Sequence, residues 1–315
     1  MTMLPVVARR AFLAGMAAAV APAVARAADP IVATVGIPPG TMGAIVDYAQ
    51  DRGFFKNAGL AVSESILNSG AAIAAAVAGG AVDFGAVNVG SLASARLRGL
   101  PLRIIAPASL VPAGPYGDVV MVRKDAALRA GPDFTGKTIA IVALKTVQHA
   151  AFLGWLEKYG ADPKSVKMLE MPLPEMAPAL GAGRVDAAIT VEPFTTLDLA
   201  VGRSLGTVYD GMTVPFMVFA ICASDAWLQS NVGTAIKFAS AIRQTAAWAN
   251  THEKDCRAIL ASAMKLEPSV AGTMLMPTSG TTLDPALIQP VIDVMVKYGF
   301  LEKALPPSDL LWRPA

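Results

Sequence analysis

The sequence predicts an α/β protein of two similar lobes, each a mainly parallel sheet flanked by helices, with a ligand cleft between them. Three observations predict it. The first is a pattern that occurs twice: residues 76–88 read AVAGGAVDFGAVN and residues 179–191 read ALGAGRVDAAITV. In each copy a small-residue helix ends, Gly80 or Gly183 turns the chain, and Val82-Asp83 or Val185-Asp186 opens an apolar run. Glycine suits that turn because it enters the left-handed region without a Cβ penalty. The second observation is a regular alternation of strand-like and helix-like segments, the pattern of βαβ units. The third is that the apolar runs are continuous, as expected of parallel strands covered on both faces.

The elements follow in order. Residues 31–37 are rich in β-branched side chains and read as the first strand, stopped by Pro38-Pro39-Gly40-Thr41. Residues 42–52 have amphipathic helical spacing, residues 53–60 form the helix end and turn, and residues 61–66 are a second strand. Ser69-Gly70 can cap the helix that ends near Gly79; residues 84–87 are a strand, Gly90-Ser91 starts a helix to Leu97, and residues 102–107 are a strand. A second lobe opens near Gly117, with strands at 118–122, 138–142 and 166–171 and helices at 146–159 and 174–180. Residues 193–203 read helical and residues 216–222 return as a strand. Beyond Asp225 the pattern is helical, at 226–229, 232–250, 256–264 and 285–298. These last helices have no strands of their own to cover, so they are expected to pack on the first lobe. The expected organisation is residues 28–116 as the first part of lobe 1, 117–224 as lobe 2, and 225–315 as the rest of lobe 1. Crossings near Ala113–Gly117 and Ala223–Asp225 then serve as hinges.

An address precedes the lobes. Arg9-Arg10 is followed by an uncharged run that contains Pro22 and leads to Ala25-Arg26-Ala27, a small-x-small cleavage site. The run falls short of the roughly 20 residues a membrane span needs. Residues 1–27 therefore read as a signal peptide of twin-arginine type, cleaved after Ala27, which sends the mature chain to the periplasm. The segment holds three arginines and no acid, so the mature chain keeps 23 basic and 24 acidic residues, a net charge of −1. That balance is no footprint for nucleic acid.

The two cysteines could pair in an exported protein. Cys222 lies in an apolar run, however, and Cys256 shares a helical face with Ile259 and Leu260, which favours two buried free thiols. No cysteine pair has metal spacing and there are only two histidines, so neither a metal nor a cofactor is expected. No catalytic residue is assigned.

Several segments resemble a known family in the right order. They are Gly53-Phe54-Phe55-Lys56-Asn57-Ala58-Gly59-Leu60, the G-x-V-D run at 76–88, Phe134-Thr135-Gly136-Lys137-Thr138-Ile139-Ala140 and Gly160-Ala161-Asp162-Pro163-Lys164-Ser165-Val166. Residues 175–187 and then Glu192-Pro193 complete the set. Together they are similar to the substrate-binding proteins of ABC transporters in the sulfonate, taurine, nitrate and thiamine-pyrimidine (NMT1-like) group. The resemblance covers residues 31 to about 200 and implies the two-lobed type II periplasmic binding fold. It implies a monomeric protein that captures a small molecule and delivers it to a membrane permease driven by a cytoplasmic ATPase. Two alternatives of the same fold stay open: a thiamine-pyrimidine binder or enzyme, and a ligand sensor for a membrane receptor.

The matched motifs themselves read as scaffold. Phe54 and Phe55 are core anchors and Asp83 and Asp186 are turn residues bonding local backbone. The site is expected instead beyond the carboxyl ends of the strands, at helix N-termini. Those loops supply Pro39, Gly40, Thr41, Met42, Ser69, Asn88 and Ser91 from the first lobe, and Lys145, Thr146, His149 and Glu192 from the second; Tyr116 stands beside the hinge. Helix N-termini favour an anionic group, and the apolar loops favour a hydrophobic or aromatic body. The expected ligand is thus an organic anion such as a sulfonate or carboxylate.

Overall fold

The computed structural model describes Met1 and residues 29–314; the body of the expected signal segment and its cleavage site lie outside the described residues. The strands are β1 (Ile31–Ile37), β2 (Leu60–Ile66), β3 (Phe84–Asn88), β4 (Leu102–Val111), β5 (Val119–Arg123), β6 (Thr138–Ile141), β7 (Lys167–Glu170), β8 (Ala187–Thr190), β9 (Gly202–Thr207), β10 (Phe216–Ser224) and β11 (Thr278–Ser279). They form two sheets, in the orders β11-β4-β10-β3-β1-β2 and β7-β6-β8-β5-β9.

The two orders are the same order. Within each sheet, the lobe's second, first and third strands lie side by side, then a strand that arrives from the other lobe, then the fourth. Parallel pairing is confined to β1 with β2 and β3, and to β6 with β7 and β8. The arriving strands β10 and β5 run antiparallel to both neighbours. A chain that crosses at one end of a sheet enters it in the opposite sense, and this makes both sheets mixed.

This topology moves the second hinge. β10 pairs with β3 and β4 along its length, so it belongs to the first sheet. The chain therefore recrosses between Gly211 and Phe216, not at Ala223–Asp225, and residues 216–224 belong to lobe 1. The first crossing lies between Val111 and Val119. The segment 193–203 also differs from expectation. Its helix is only Phe194–Asp198, and Gly202 begins the edge strand β9. A Cβ on Gly202 would stand 2.6 Å from Met121 Sδ, so that close approach needs glycine.

The C-terminal helices return to lobe 1. Helix Val232–Ala249 packs on β4, and its Phe238 stacks on Phe84 of β3 at 3.9 Å and on Phe55 at 4.9 Å between ring centroids. Each such aromatic pair adds about 0.5–1.5 kcal/mol beyond its buried area. Phe55 is thus a core anchor, as its place in the motif suggested, and Phe54 lies 6.2 Å from Trp248. No helix among the described residues is long and apolar enough to cross a membrane.

The repeated Gly-x-Val-Asp unit has a structural job. Asp83 Oδ2 accepts from the Thr34 N–H at 2.7 Å and from Thr34 Oγ1 at 2.9 Å, while its own N–H donates to Thr34. Asp186 Oδ2 accepts from the Thr138 N–H at 2.9 Å, and Lys137 Nζ lies 3.3 Å from its other oxygen. In both lobes the aspartate pins the start of the third strand to the first strand. The bonds are long-range rather than the local turn bonds expected. Cys222 and Cys256 are both free and buried.

Candidate ligand-binding site

A cavity of about 80 Å³ lies between the lobes, where the two sets of strand ends face each other. From lobe 1 it is lined by Pro38, Pro39 and Met42 after β1, Asn68, Ser69 and Gly70 after β2, Asn88 and Ser91 at the end of β3, and Phe219 of β10. From lobe 2 come Val142, Ala143, Thr146 and Gln148 after β6, Leu173 after β7 and Val191 after β8. Asp118 at the head of β5 and Tyr209 just past β9 close it. Loops at strand carboxyl ends are where open α/β sheets bind ligands. A larger groove of about 740 Å³, lined by Gly154, Met212, Pro285, Asp293 and Lys297 among others, is open to solvent and away from these loops.

Three helices aim their N-termini at the cavity, and each is capped by a lining residue. Ser69 Oγ accepts from the Ala72 N–H, Asn88 Oδ1 from the Gly90 and Ser91 N–H groups, and Thr146 Oγ1 from the His149 N–H. A cap satisfies one or two of the four first-turn donors and leaves the others for a ligand or solvent. The helices they begin are Gly70–Ala78, Val89–Leu97 and Val147–Lys158.

Of the twelve residues expected at the site, Pro39, Met42, Ser69, Asn88, Ser91 and Thr146 line the cavity. Gly40, Thr41, Tyr116, Lys145, His149 and Glu192 do not. Glu192 instead holds the lobes together. Its side chain is only 3% exposed, and Oε1 accepts from the backbone N–H of Leu275 at 3.0 Å and from Thr196 Oγ1 at 3.1 Å. Oε2 accepts from the Thr196 N–H, and the Glu192 carbonyl accepts from Thr41 Oγ1 at 3.2 Å and from the Thr41 N–H. Gly40, with φ of +80°, passes close to that same carbonyl. Gly117 leaves room for the glutamate, since a Cβ there would stand 2.5 Å from Glu192 Cγ. Burial holds the Glu192 carboxyl above its ordinary range, partly offset by the Leu275 and Thr196 bonds.

His149 faces away from the cavity, into the seam with the C-terminal segment. Its Nδ1 accepts from the Lys145 N–H at 3.1 Å and its ring lies 4.7 Å from that of Phe300. Burial lowers its pKa to about 4, so the imidazole is neutral. Lys145 is exposed, with φ of 56°. Tyr116 packs edge-on against Tyr209 at 5.7 Å, its hydroxyl 3.4 Å from Ser109 Oγ, and so supports the wall without lining it.

Sequence reasoning missed the acidic residue of the cavity. Asp118 is 9% exposed, and its Oδ2 accepts from Tyr209 Oη at 2.9 Å and from Gln148 Nε2 at 3.0 Å. Burial pushes its carboxyl up to about 7, against the pull of those two bonds. Its sequence signal was weak: one acid directly after Gly117 at the head of an apolar strand. Tyr209 gave none, because the edge strand before it carries no strand pattern in the sequence beyond the helix expected at 193–203. No group of three or more His, Cys, Asp or Glu among the described residues is placed to hold a metal.

Two lobes of matching strand order, joined by two crossings and closing on a cavity at the strand ends, define the class of two-lobed binding-protein folds. The chain matches the NMT1/THI5 like family over residues 42–255 and belongs to that family. It is similar in structure to the periplasmic aliphatic sulphonate binding protein SsuA of Escherichia coli, at 18% identity and a TM-score of 0.73, covering 91% of this chain and 93% of that one. It is similar to the alkanesulfonate-binding SsuA of Xanthomonas axonopodis pv. citri bound to MOPS, at 19% identity and a TM-score of 0.75, covering 91% and 100%. The periplasmic nitrate-binding protein NrtA of Synechocystis PCC 6803 aligns at 15% identity and a TM-score of 0.71, covering 87% and 83%. At these identities the likeness is one of fold. No curated protein matches the chain significantly in sequence.

Proposed function

We propose that the protein is an exported solute-binding protein that captures a small organic molecule between its lobes, closes on it, and delivers it to an ABC permease. The observation that carries this reading is the cavity on which strand ends of both lobes and three capped helix N-termini converge. Family membership and the folds of the sulfonate- and nitrate-binding proteins support it. The arrangement is one for holding a ligand rather than transforming it, because the buried acid and the neutral histidine sit on different sides of the second lobe's first helix, each already engaged with protein.

Pro38, Pro39, Met42, Val142, Leu173, Val191 and Phe219 make most of the wall apolar, which suits a hydrophobic or aromatic body and disfavours nitrate. The organic anion expected from the sequence draws on the helix N-termini. Against it, the lining contains no Lys or Arg and does contain Asp118, and the caps already occupy several first-turn donors. The lining thus favours an uncharged or nitrogen-bearing polar end. A thermal-shift screen of the mature protein over sulfonates, carboxylates, amines and heteroaromatics tests the role, since a ligand of the native state raises the melting temperature by mass action. Small-angle scattering that showed no compaction with any stabilising ligand would remove lobe closure from the account.

A further inference from the structure

The cavity contains one carboxyl group and no basic side chain. Asp118 Oδ2 takes both of that residue's side-chain hydrogen bonds, and Oδ1 receives none from the described residues. The donors to Oδ2 also fix the carboxyl plane. The Tyr209 ring is buried and held edge-on between Tyr116 at 5.7 Å and Phe216 at 5.2 Å. Gln148 projects from the first turn of helix Val147–Lys158. Oδ1 is thus left to solvent or to a ligand in the cavity, and a ligand that displaces the solvent must supply a donor in its place. Lys145, which directly precedes the lining residue Thr146, is exposed and does not line the cavity.

We infer that Asp118 is the specificity-determining residue of the cleft: its Oδ1 accepts a hydrogen bond from an N–H group of the ligand, so the site selects a small organic molecule with an amidine-like or amine end and rejects one that would bring a carboxylate or sulfonate there. The inference rests on the reading of the protein as a solute-binding protein. Selection works in both directions. A ligand N–H meets an acceptor that no described residue engages, and a ligand anion would stand against a like charge in a largely desolvated space. Met42, Pro39 and Phe219 then receive the apolar body, which leaves the polar end for Asp118.

The test compares ligands that share a ring and differ only at the polar end: benzamidine, benzylamine, benzoate and benzenesulfonate. Each is titrated into the mature protein at pH 8 by calorimetry and by thermal shift, with Asp118→Asn alongside. The near-isosteric amide keeps an acceptor for Tyr209, and its own melting curve checks that it folds. The expected result is binding of the two cationic compounds by the wild type and at least a tenfold loss of that binding in the variant, with no loss for the anions. Equal binding of benzamidine by wild type and variant overturns the inference. Binding of the anionic pair alone also overturns it and leaves the solute-binding reading standing. Binding of none of the four counts against both.

Discussion

The carboxylate of Glu192, in the loop after β8 of the second lobe, accepts a hydrogen bond from the backbone N–H of Leu275, in the C-terminal segment of the first, at 3.0 Å. Its carbonyl meanwhile accepts from Thr41, beside the cavity in lobe 1. One residue therefore ties the second lobe to two separate parts of the first. Glu192→Ala removes the acceptor of the Leu275 N–H and of both Thr196 donors, part-buried bonds whose loss costs about 0.5–1.5 kcal/mol each. The variant is expected to melt lower and to show a larger radius of gyration by scattering. Unchanged dimensions would separate this residue from lobe closure.

The pairing of Asp83 with Thr34 predicts a stability effect far from the cavity. Asp83→Ala removes the acceptor for two Thr34 donors and is expected to cost about 1–3 kcal/mol in urea denaturation. Asp186→Ala loses one strong backbone bond and a half-exposed lysine contact, so its cost is expected to be smaller. Equal or reversed costs would contradict the assignment.

Asp118 gives stability a pH dependence of known sign. Its folded pKa, about 7, lies above the ordinary 3.8, so the folded state keeps a proton that the unfolded chain has lost between those values. The stabilisation is fully present below about 3.8 and is lost as pH rises through 7. Asparagine cannot titrate. The melting temperature of Asp118→Asn relative to wild type is thus expected to rise between pH 5 and pH 8, and a flat difference would refute the shift.

His149 works in the opposite sense. Its folded pKa is lowered to about 4 from 6.5, so the unfolded chain binds the proton first and stability is lost as pH falls from 6.5 towards 4. The chain has only two histidines, which makes the check direct. One of the two imidazole C–H proton resonances is expected to hold its neutral position down to about pH 5. If no imidazole keeps its neutral position to that pH, the buried neutral imidazole is wrong.

The cysteines allow a chemical check of the core. Burial pushes Cys222 up to about 12 and Cys256 up to about 11, and both are inaccessible. A thiol reagent is expected to find no reactive thiol in the native mature protein and two after denaturation without reductant. Fewer than two would mean a disulfide.

Much of the fold was legible because its signals are local. The two Gly-x-Val-Asp units, the caps Ser69, Asn88 and Thr146 and the paired phenylalanines at 54 and 55 each declare an element through residues a few positions apart. The same is true of half the expected site, since a residue capping a helix at a strand's carboxyl end is placed by that junction. β9 was not legible, because its Arg203-Ser204-Leu205-Gly206 stretch follows a helix with only a short turn and earns its strand geometry from pairing with β5. Nor was the second hinge, because an apolar strand looks the same in either sheet.

The sequence alone determined that there are two lobes of one design, which loops face one another, and which family the chain resembles. These follow from turn chemistry and hydrophobic period, and both act over a few residues. Only the tertiary structure decided that β10 belongs to the first sheet, that Glu192 joins the lobes while Asp118 faces the cavity, and that Asp83 and Asp186 bond across to a neighbouring strand. Those outcomes depend on which distant segments meet. A buried carboxylate has no distinguishing mark in the sequence until the partners that satisfy it, or fail to, are brought within hydrogen-bonding distance.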